Sequence, residues 1–305
     1  VKIPFLRPVV PPHVFCLTED GVTYARVRRE PVPGFEEARH FRYPAGSLAK
    51  GTADAPLLTR EAIAEAVKAA RALSGGRLAR ATVLYPDAWA KILAVEFESL
   101  PSNDDAGTEM VLWKLKKLLP QVTGELALVH ASMPDLSEEK RVLVAATPRE
   151  SIDAMERSFE ELGIRVGYLA PASLALFEGL APTLAAAASG DYALLHRSRG
   201  VLSFLIGRGD DPIFFRQRPP EEDEDHDREA RLSLSYYAER LRGPGLTAVF
   251  VHDERTGGVL ERVSSFPVAP VRVTGSLFSA DASFDERVAS RPELLAGFAA
   301  VYGRR

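Results

Sequence analysis

The chain has 305 residues, 46% of them hydrophobic and 26% charged, enough for two lobes with proper cores. Thirty-eight basic against forty-two acidic residues leave a formal charge of −4, too balanced to point to nucleic acid or another polyanion as partner. The single Cys16 excludes an internal disulfide and every Cys-based metal spacing, which fits a reducing, cytoplasmic compartment. No run approaches the roughly 18 apolar residues of a membrane span, and no basic start with an apolar core marks a signal peptide in the chain as it begins at Val1.

In chain order, Val14–Leu17 and Val22–Arg28 read as two strands joined by the turn Thr18–Gly21, since Asp-Gly between apolar runs favours a tight hairpin. Thr59 can cap a helix with Ile63, Val67, Ala70 and Leu73 on one face, ended by Gly75 and Gly76. Ala81–Leu84 is a buried-type strand. Lys91–Leu100 is extended, Glu109–Leu119 helical, and Leu126–Ser132 and Arg141–Ala146 are strands, so this β-α-β-β stretch reads as a small inserted subdomain. Thr147 to Glu150 has the form of a capping box with proline at the first helical position, followed by Ile152, Met155, Phe159 and Leu162 at helical spacing and closed by Gly163.

Ile164–Leu169 is a strand and Ala172–Leu180 a short helix, after which the alanine-rich stretch Pro182–Gly190 reads as a linker between lobes. Asp191–Arg218 is a three-stranded meander. The acidic run Glu221–Asp227 suits the start of a helix over Arg228–Arg242, where negative charge favours the N-terminal dipole. Leu246–His252 is a strand, and Pro292–Tyr302 a final amphipathic helix.

The order of these stretches resembles PilM-type proteins, the actin-like, FtsA-related components of the type IV pilus inner-membrane platform, and more distantly the cytoplasmic domain of the secretion protein GspL. The carrying stretches are Leu84–Pro86, Glu109–Pro120, Ala146–Met155, Leu162–Phe177 and Leu232–Tyr237. The resemblance implies an α/β, two-lobed actin-like ATPase fold with ribonuclease H-like lobes and the inserted β-α-β-β subdomain. Residues 1–80 are then the first lobe, 81–147 the insertion, 148–190 the return of the first lobe with the interlobe linker, and 191–305 the second lobe.

Such a family implies ATP held between the lobes by two glycine-containing hairpins, with an acidic side chain near the metal. This chain departs from that pattern. Thr18 or Glu19 takes the acidic position of the first hairpin before Gly21, and the second hairpin starts at His196 and runs through Ser198 to Gly200. Arg197 and Arg199 are either residual phosphate ligands or outward residues of a solvated turn. Ala170 and Pro171 stand where related folds carry a polar residue. About ten residues after Arg218 leave no space for the helical subdomain that walls the adenine pocket. The expectation is a pseudo-ATPase scaffold without cofactor, with an active ATPase using rearranged phosphate loops and Mg as the alternative. The resemblance implies a partner in the cytoplasmic tail of a PilN-like bitopic membrane protein, contact with motor ATPases, and a cytoplasmic place beside the inner membrane.

The remaining candidates are weaker. The six histidines are scattered without metal-ligand spacing. Gly207 to Gly209 and Gly257-Gly258 are turn glycines, and Ser203 lies inside a strand rather than at a nucleophile elbow. Arg26, Arg28 and Arg29, and Lys114, Lys116 and Lys117, are ordinary solvated charge, or else attract acidic partners or lipid headgroups. Trp89, Phe97 and Trp113 are either plain core or the walls of an apolar partner groove between the first lobe and the insertion.

Overall fold

A computed structural model describes residues 10–52, 55–99, 101, 104–119, 124–136, 139–198, 201–218, 226–255 and 258–303. The chain opens on strands β1 (His13–Leu17) and β2 (Gly21–Arg28), paired antiparallel from His13 opposite Arg26 to Leu17 opposite Val22. Strand β3 (Gly34–Arg42) extends the meander, and a small ribbon of β4 (Leu48–Ala49) and β5 (Leu57–Leu58) follows. Helix α1 (Arg60–Leu73) buries Ala62, Ile63, Ala66, Val67 and Ala70 on one face, and the chain returns as β6 (Arg80–Tyr85), parallel to β1. Thr59 precedes α1, but its hydroxyl makes no capping bond.

A single 3₁₀ turn, Asp87–Trp89, then leads into β7 (Lys91–Phe97), α2 (Asp104–Leu118), β8 (Leu126–Ser132) and β9 (Lys140–Pro148). These form the β-α-β-β insertion, a sheet of order β7-β9-β8 whose inner face packs Val95, Phe97, Val142 and Val144 against Val111 and Leu115 of α2. The insertion thus begins near Lys91, not at residue 81. Residues 81–85 belong to the first lobe's sheet, and the burial of β6 along nearly its whole length fits a central parallel strand covered on both faces.

Helix α3 (Arg149–Glu160) and strand β10 (Arg165–Pro171) complete the first sheet, in the order β10-β6-β1-β2-β3. The capping box does not form. Pro148 is the N-cap, the Thr147 hydroxyl meets the Tyr85 hydroxyl at 3.1 Å, and the Glu150 carboxylate accepts the backbone N–H and hydroxyl of Thr52, both at 2.7 Å. Helix α4 (Ala172–Ala187) runs through Pro182, so the stretch expected as a linker is mostly helix. Its apolar surface explains the difference: Leu176, Leu180 and Leu184 are fully buried, and that packing holds the last turn beyond the proline.

The second lobe carries the meander β11 (Tyr192–Ser198), β12 (Val201–Arg208) and β13 (Asp211–Arg218), then α5 (His226–Glu239), β14 (Ala248–Asp253) and β15 (Val271–Arg272). Its sheet has the order β13-β12-β11-β14-β15, the same plan as the first: an antiparallel meander with parallel strands added beyond its first member. With β13 ending at Arg218 and α5 starting at His226, no separate helical subdomain fits between them. Most of the acidic run, residues 221–225, lies outside the described residues.

The chain does not finish in the second lobe. Helices α6 (Phe284–Ser290) and α7 (Leu294–Tyr302) cross back, and Phe298 of α7 stacks edge-on to Phe284 at 4.7 Å and packs on Phe35 of β3 at 5.9 Å. A Cβ on Gly179 of α4 would stand 2.0 Å from the Ala299 carbonyl oxygen, so only glycine lets α4 and α7 approach this closely. The range 191–305 is therefore too long for the second lobe: it takes in these last helices, whose apolar faces belong to the first lobe's core.

Candidate functional site

The first hairpin turn is closed on itself. The Thr18 N–H donates to the Gly21 carbonyl at 2.8 Å, while the Thr18 hydroxyl accepts the Gly21 N–H at 3.1 Å and meets the Asp20 carboxylate at 2.8 Å. The Thr18 and Gly21 N–H groups, which a phosphate-binding turn could present to a ligand, are here used within the turn.

Of the second turn, Ser198 is described, while Arg199 and Gly200 lie outside the described residues. Arg197 is not outward. Its guanidinium is buried and forks onto the Asp253 carboxylate at 2.9 and 2.7 Å, with His226 at 3.2 Å, so its charge is spent inside the lobe.

Between the two turns lies a narrow cleft, lined among others by Thr18, Glu19, Leu84, Ser198, Glu254 and Glu293. No described residue in its lining is basic. Glu293 accepts the Thr23 hydroxyl, and Glu254 meets His196 Nε2 at 3.1 Å.

His196 is the centre of a buried polar chain. Its Nδ1 lies 3.7 Å from Oδ2 of Asp87, an ion-pair distance, and its ring stacks nearly parallel to that of His252 at 5.4 Å. Asp87 is fully buried; it accepts the Ser173 N–H at 2.9 Å and the Ser203 hydroxyl at 2.8 Å. Burial alone would strip His196 of its charge, but Asp87 and Glu254 on either side outweigh it and push its pKa up to about 10. Burial and then the charge of His196 push His252 down to about 3. Burial raises Asp87, yet His196 and Ser173 together hold its carboxyl below the usual range. Glu254 is raised, with burial outweighing the pull of His196.

His196, His252 and Glu254 bring candidate ligand atoms within 4.8 Å of one another, a cluster the sequence spacing did not reveal. The two imidazole rings are nearly parallel, and His196 lies between the Asp87 and Glu254 carboxylates. The other four histidines sit beside Tyr24, Thr23, Thr108 and Arg197.

The three aromatics expected to share a groove are separated. Trp89, 5% exposed, lines a small second pocket together with Ala88, Lys91, Leu119, Leu126 and Pro148, at the seam of the first lobe and the insertion. Phe97 is buried in the insertion's core with the Lys114 ammonium 4.7 Å from its ring centre. Trp113 is 59% exposed on the outer face of α2, with the Lys117 ammonium 3.6 Å over its ring, so it walls nothing. Arg26 and Arg28 pair with Glu36 at 3.0 Å and Asp281 at 2.8 Å. Asp87, Glu254 and Glu293 were missed by the sequence reading; the one local sign was Asp87, a lone acid in the apolar run from Ala81 to Ala94.

No family model matches the sequence, and no curated protein does. Among solved structures, the chain is similar to one described as the PilM–PilN type IV pilus biogenesis complex, at 17% identity, covering 98% of this chain and 100% of that one with a TM-score of 0.69. It is also similar to a protein with an actin-like ATPase fold and unknown function from Bacteroides thetaiotaomicron, at 9% identity over 97% and 98% of the two chains, with a TM-score of 0.50. The cytoplasmic domain of EpsL, an inner membrane component of the type II secretion system of Vibrio cholerae, matches at 11% identity over 88% and 91%, with a TM-score of 0.42 too low to carry an argument. At these identities the likeness establishes the fold alone, two-lobed and actin-like.

Proposed function

We propose that this chain is a nucleotide-independent actin-like scaffold of a type IV pilus or related secretion platform, which captures the cytoplasmic tail of a PilN-like membrane partner. The observation that carries this reading is the chemistry of the interlobe cleft. A nucleoside triphosphate is a polyanion that actin-like ATPases hold with free backbone N–H groups and a metal. Here the cleft presents Glu19, Glu254 and Glu293, the first turn bonds to itself, and Arg197 is consumed by Asp253. Bringing triphosphate there would set like charges against each other in a partly desolvated site.

The groove at Trp89 has the opposite character. It is bounded by Ala88, Trp89, Leu119, Leu126 and Pro148 with the single charge of Lys91, suited to a short extended or amphipathic segment anchored by a few apolar side chains. Among the described residues no helix is long and apolar enough to cross a membrane. The tail would hold the protein on the cytoplasmic face of the inner membrane, where the motor ATPases of such systems are further partners. No enzymatic step and no cofactor enter this reading.

The test is capture of a fluorescent peptide copying the cytoplasmic tail of a PilN-like bitopic membrane protein from the same genome. The reading expects saturable binding with little salt dependence, abolished by charge at Leu126 and unaffected by Trp113→Ala. Absence of binding to the wild-type chain, or loss of binding with Trp113→Ala alone, contradicts it.

A further inference from the structure

We infer that Asp87 is a positioning residue for the groove: the buried contacts of its carboxylate with the second lobe set where the Trp89 wall stands, an inference that rests on the groove reading above.

The 3₁₀ turn Asp87–Trp89 is only three residues long and faces two ways. At one end, the Asp87 carboxylate accepts the Ser203 hydroxyl from β12 and the Ser173 N–H from the first turn of α4, and it lies beside His196 of β11. The Asp87 carbonyl accepts the side-chain N–H of Gln217 from β13 at 3.0 Å, and the same amide's oxygen accepts the Ile92 N–H of β7 at 3.1 Å. Three strands of the second lobe thus hold the turn and its exit.

At the other end, Ala88, Trp89, Ala90 and Lys91 form one wall of the groove. Every other lining residue falls between Leu119 and Pro148, so the second lobe contributes nothing to the groove directly. The turn is internally tight, with the Trp89 N–H on the Pro86 carbonyl at 3.0 Å and the Ala90 N–H on the Asp87 carbonyl at 3.1 Å. A closed turn of this length has no slack to absorb a shift of its first residue, so displacement of Asp87 carries Trp89 with it. Side chains around the cleft therefore act at a distance on the groove. His196, standing where the family's second hairpin carries an acid, is one of them; an aspartate there would set a second carboxylate against the buried Asp87.

Amide hydrogen exchange of the full chain, read by mass spectrometry over residues 86–92, measures how often the turn opens. Ser203→Ala removes one hydroxyl that holds Asp87, and His196→Gln removes its cationic neighbour. Each is expected to raise exchange at Trp89 and Ala90 by about fivefold, the weight of one lost hydrogen bond, with a smaller change in β1 and β6. Glu19→Gln, which alters the cleft lining without bonding to Asp87, is expected to leave the segment unchanged. The expected companion result is an approximately fivefold loss of tail-peptide affinity in folded Ser203→Ala.

Unchanged exchange in folded Ser203→Ala overturns the inference, and that mild variant decides the matter if His196→Gln does not fold. An equal rise across β1, β6 and the turn also overturns it, because the effect is then general destabilisation. Exchange needs no partner, so the two readings part cleanly. A wild-type chain that fails to bind the peptide defeats the groove reading, whereas full affinity in Ser203→Ala despite faster exchange defeats the positioning role alone.

Discussion

The interlobe cleft, which reaches Pro86, and the groove beneath the insertion, which begins at Ala88, flank the buried Asp87, yet they are opposite in chemistry. In the cleft, carboxylates, imidazoles and hydroxyls bond largely to one another: Thr18 to Gly21, Thr23 to Glu293, His196 to Glu254, Asp87 to Ser173 and Ser203. In the groove, apolar side chains from two separately packed units meet without filling the space between them. The difference teaches where binding capacity resides. A site whose polar groups already have partners offers a ligand little new hydrogen bonding, while unfilled apolar surface gains from any fitting chain that removes it from water.

The largest effects come from the turn Asp87–Trp89. Trp89→Ala is expected to cost about 3–5 kcal/mol of stability in urea titrations, because it empties a large buried side chain, and to abolish tail capture. A folded Trp89→Ala variant that binds the tail normally would break the comparison on its groove side. Asp87→Ala, which leaves the His196 cation buried without one of its two carboxylates, should cost a similar 3–5 kcal/mol or so in the same measurement.

Next in size is a pH effect confined to the cleft. His196 titrates near 10 in the folded protein against an ordinary 6.5, so its contribution is complete below pH 6.5 and is lost as pH climbs towards 10. The slope from one such proton is at most about 1.4 kcal/mol per pH unit. His252 acts in the opposite direction: neutral in the fold with a pKa near 3, it favours the unfolded chain as pH falls below 6.5. His196→Gln should flatten the alkaline limb of the stability profile and also alter the acid limb, since the His196 charge helps to depress both His252 and Asp87. An unchanged alkaline limb would show that the cation between Asp87 and Glu254 carries no weight. Smallest of all, Trp113→Ala at its exposed position should change stability by no more than about 0.5 kcal/mol.

Much of the fold was legible because local pattern and tertiary need coincide. The hairpin of β1 and β2, the one-sided helix α1 and the meander from Tyr192 to Arg218 announce themselves through alternation, helical spacing and turn glycines. Strand β3 went unread since Glu36, Glu37, Arg39, His40 and Arg42 hide any apolar alternation on a sheet edge. The course of α4 past Pro182 was obscured by a local breaker that tertiary burial overrides.

The site was half legible. Thr18, Glu19 and His196 at the turn positions led the sequence to an expectation of altered phosphate chemistry, but not to the partners these residues find. His196 finds Glu254 at a sequence distance of 58 residues, and Asp87 finds Ser203 at 116, pairings that no local spacing encodes. The aromatics show the complementary failure. Trp89, Phe97 and Trp113 have similar apolar sequence surroundings, and only the packing of the insertion assigns them to a groove wall, a core and open solvent.

Thermal melting of the 305-residue chain with and without millimolar Mg-ATP addresses the central claim most directly. A ligand present at 100 times its dissociation constant stabilises a fold by about 2.7 kcal/mol, a shift of several degrees that is hard to miss. Superimposable curves are expected, because the polar groups around the cleft are bonded to one another. A clear upward shift with Mg-ATP, absent with Mg alone, would contradict the claim.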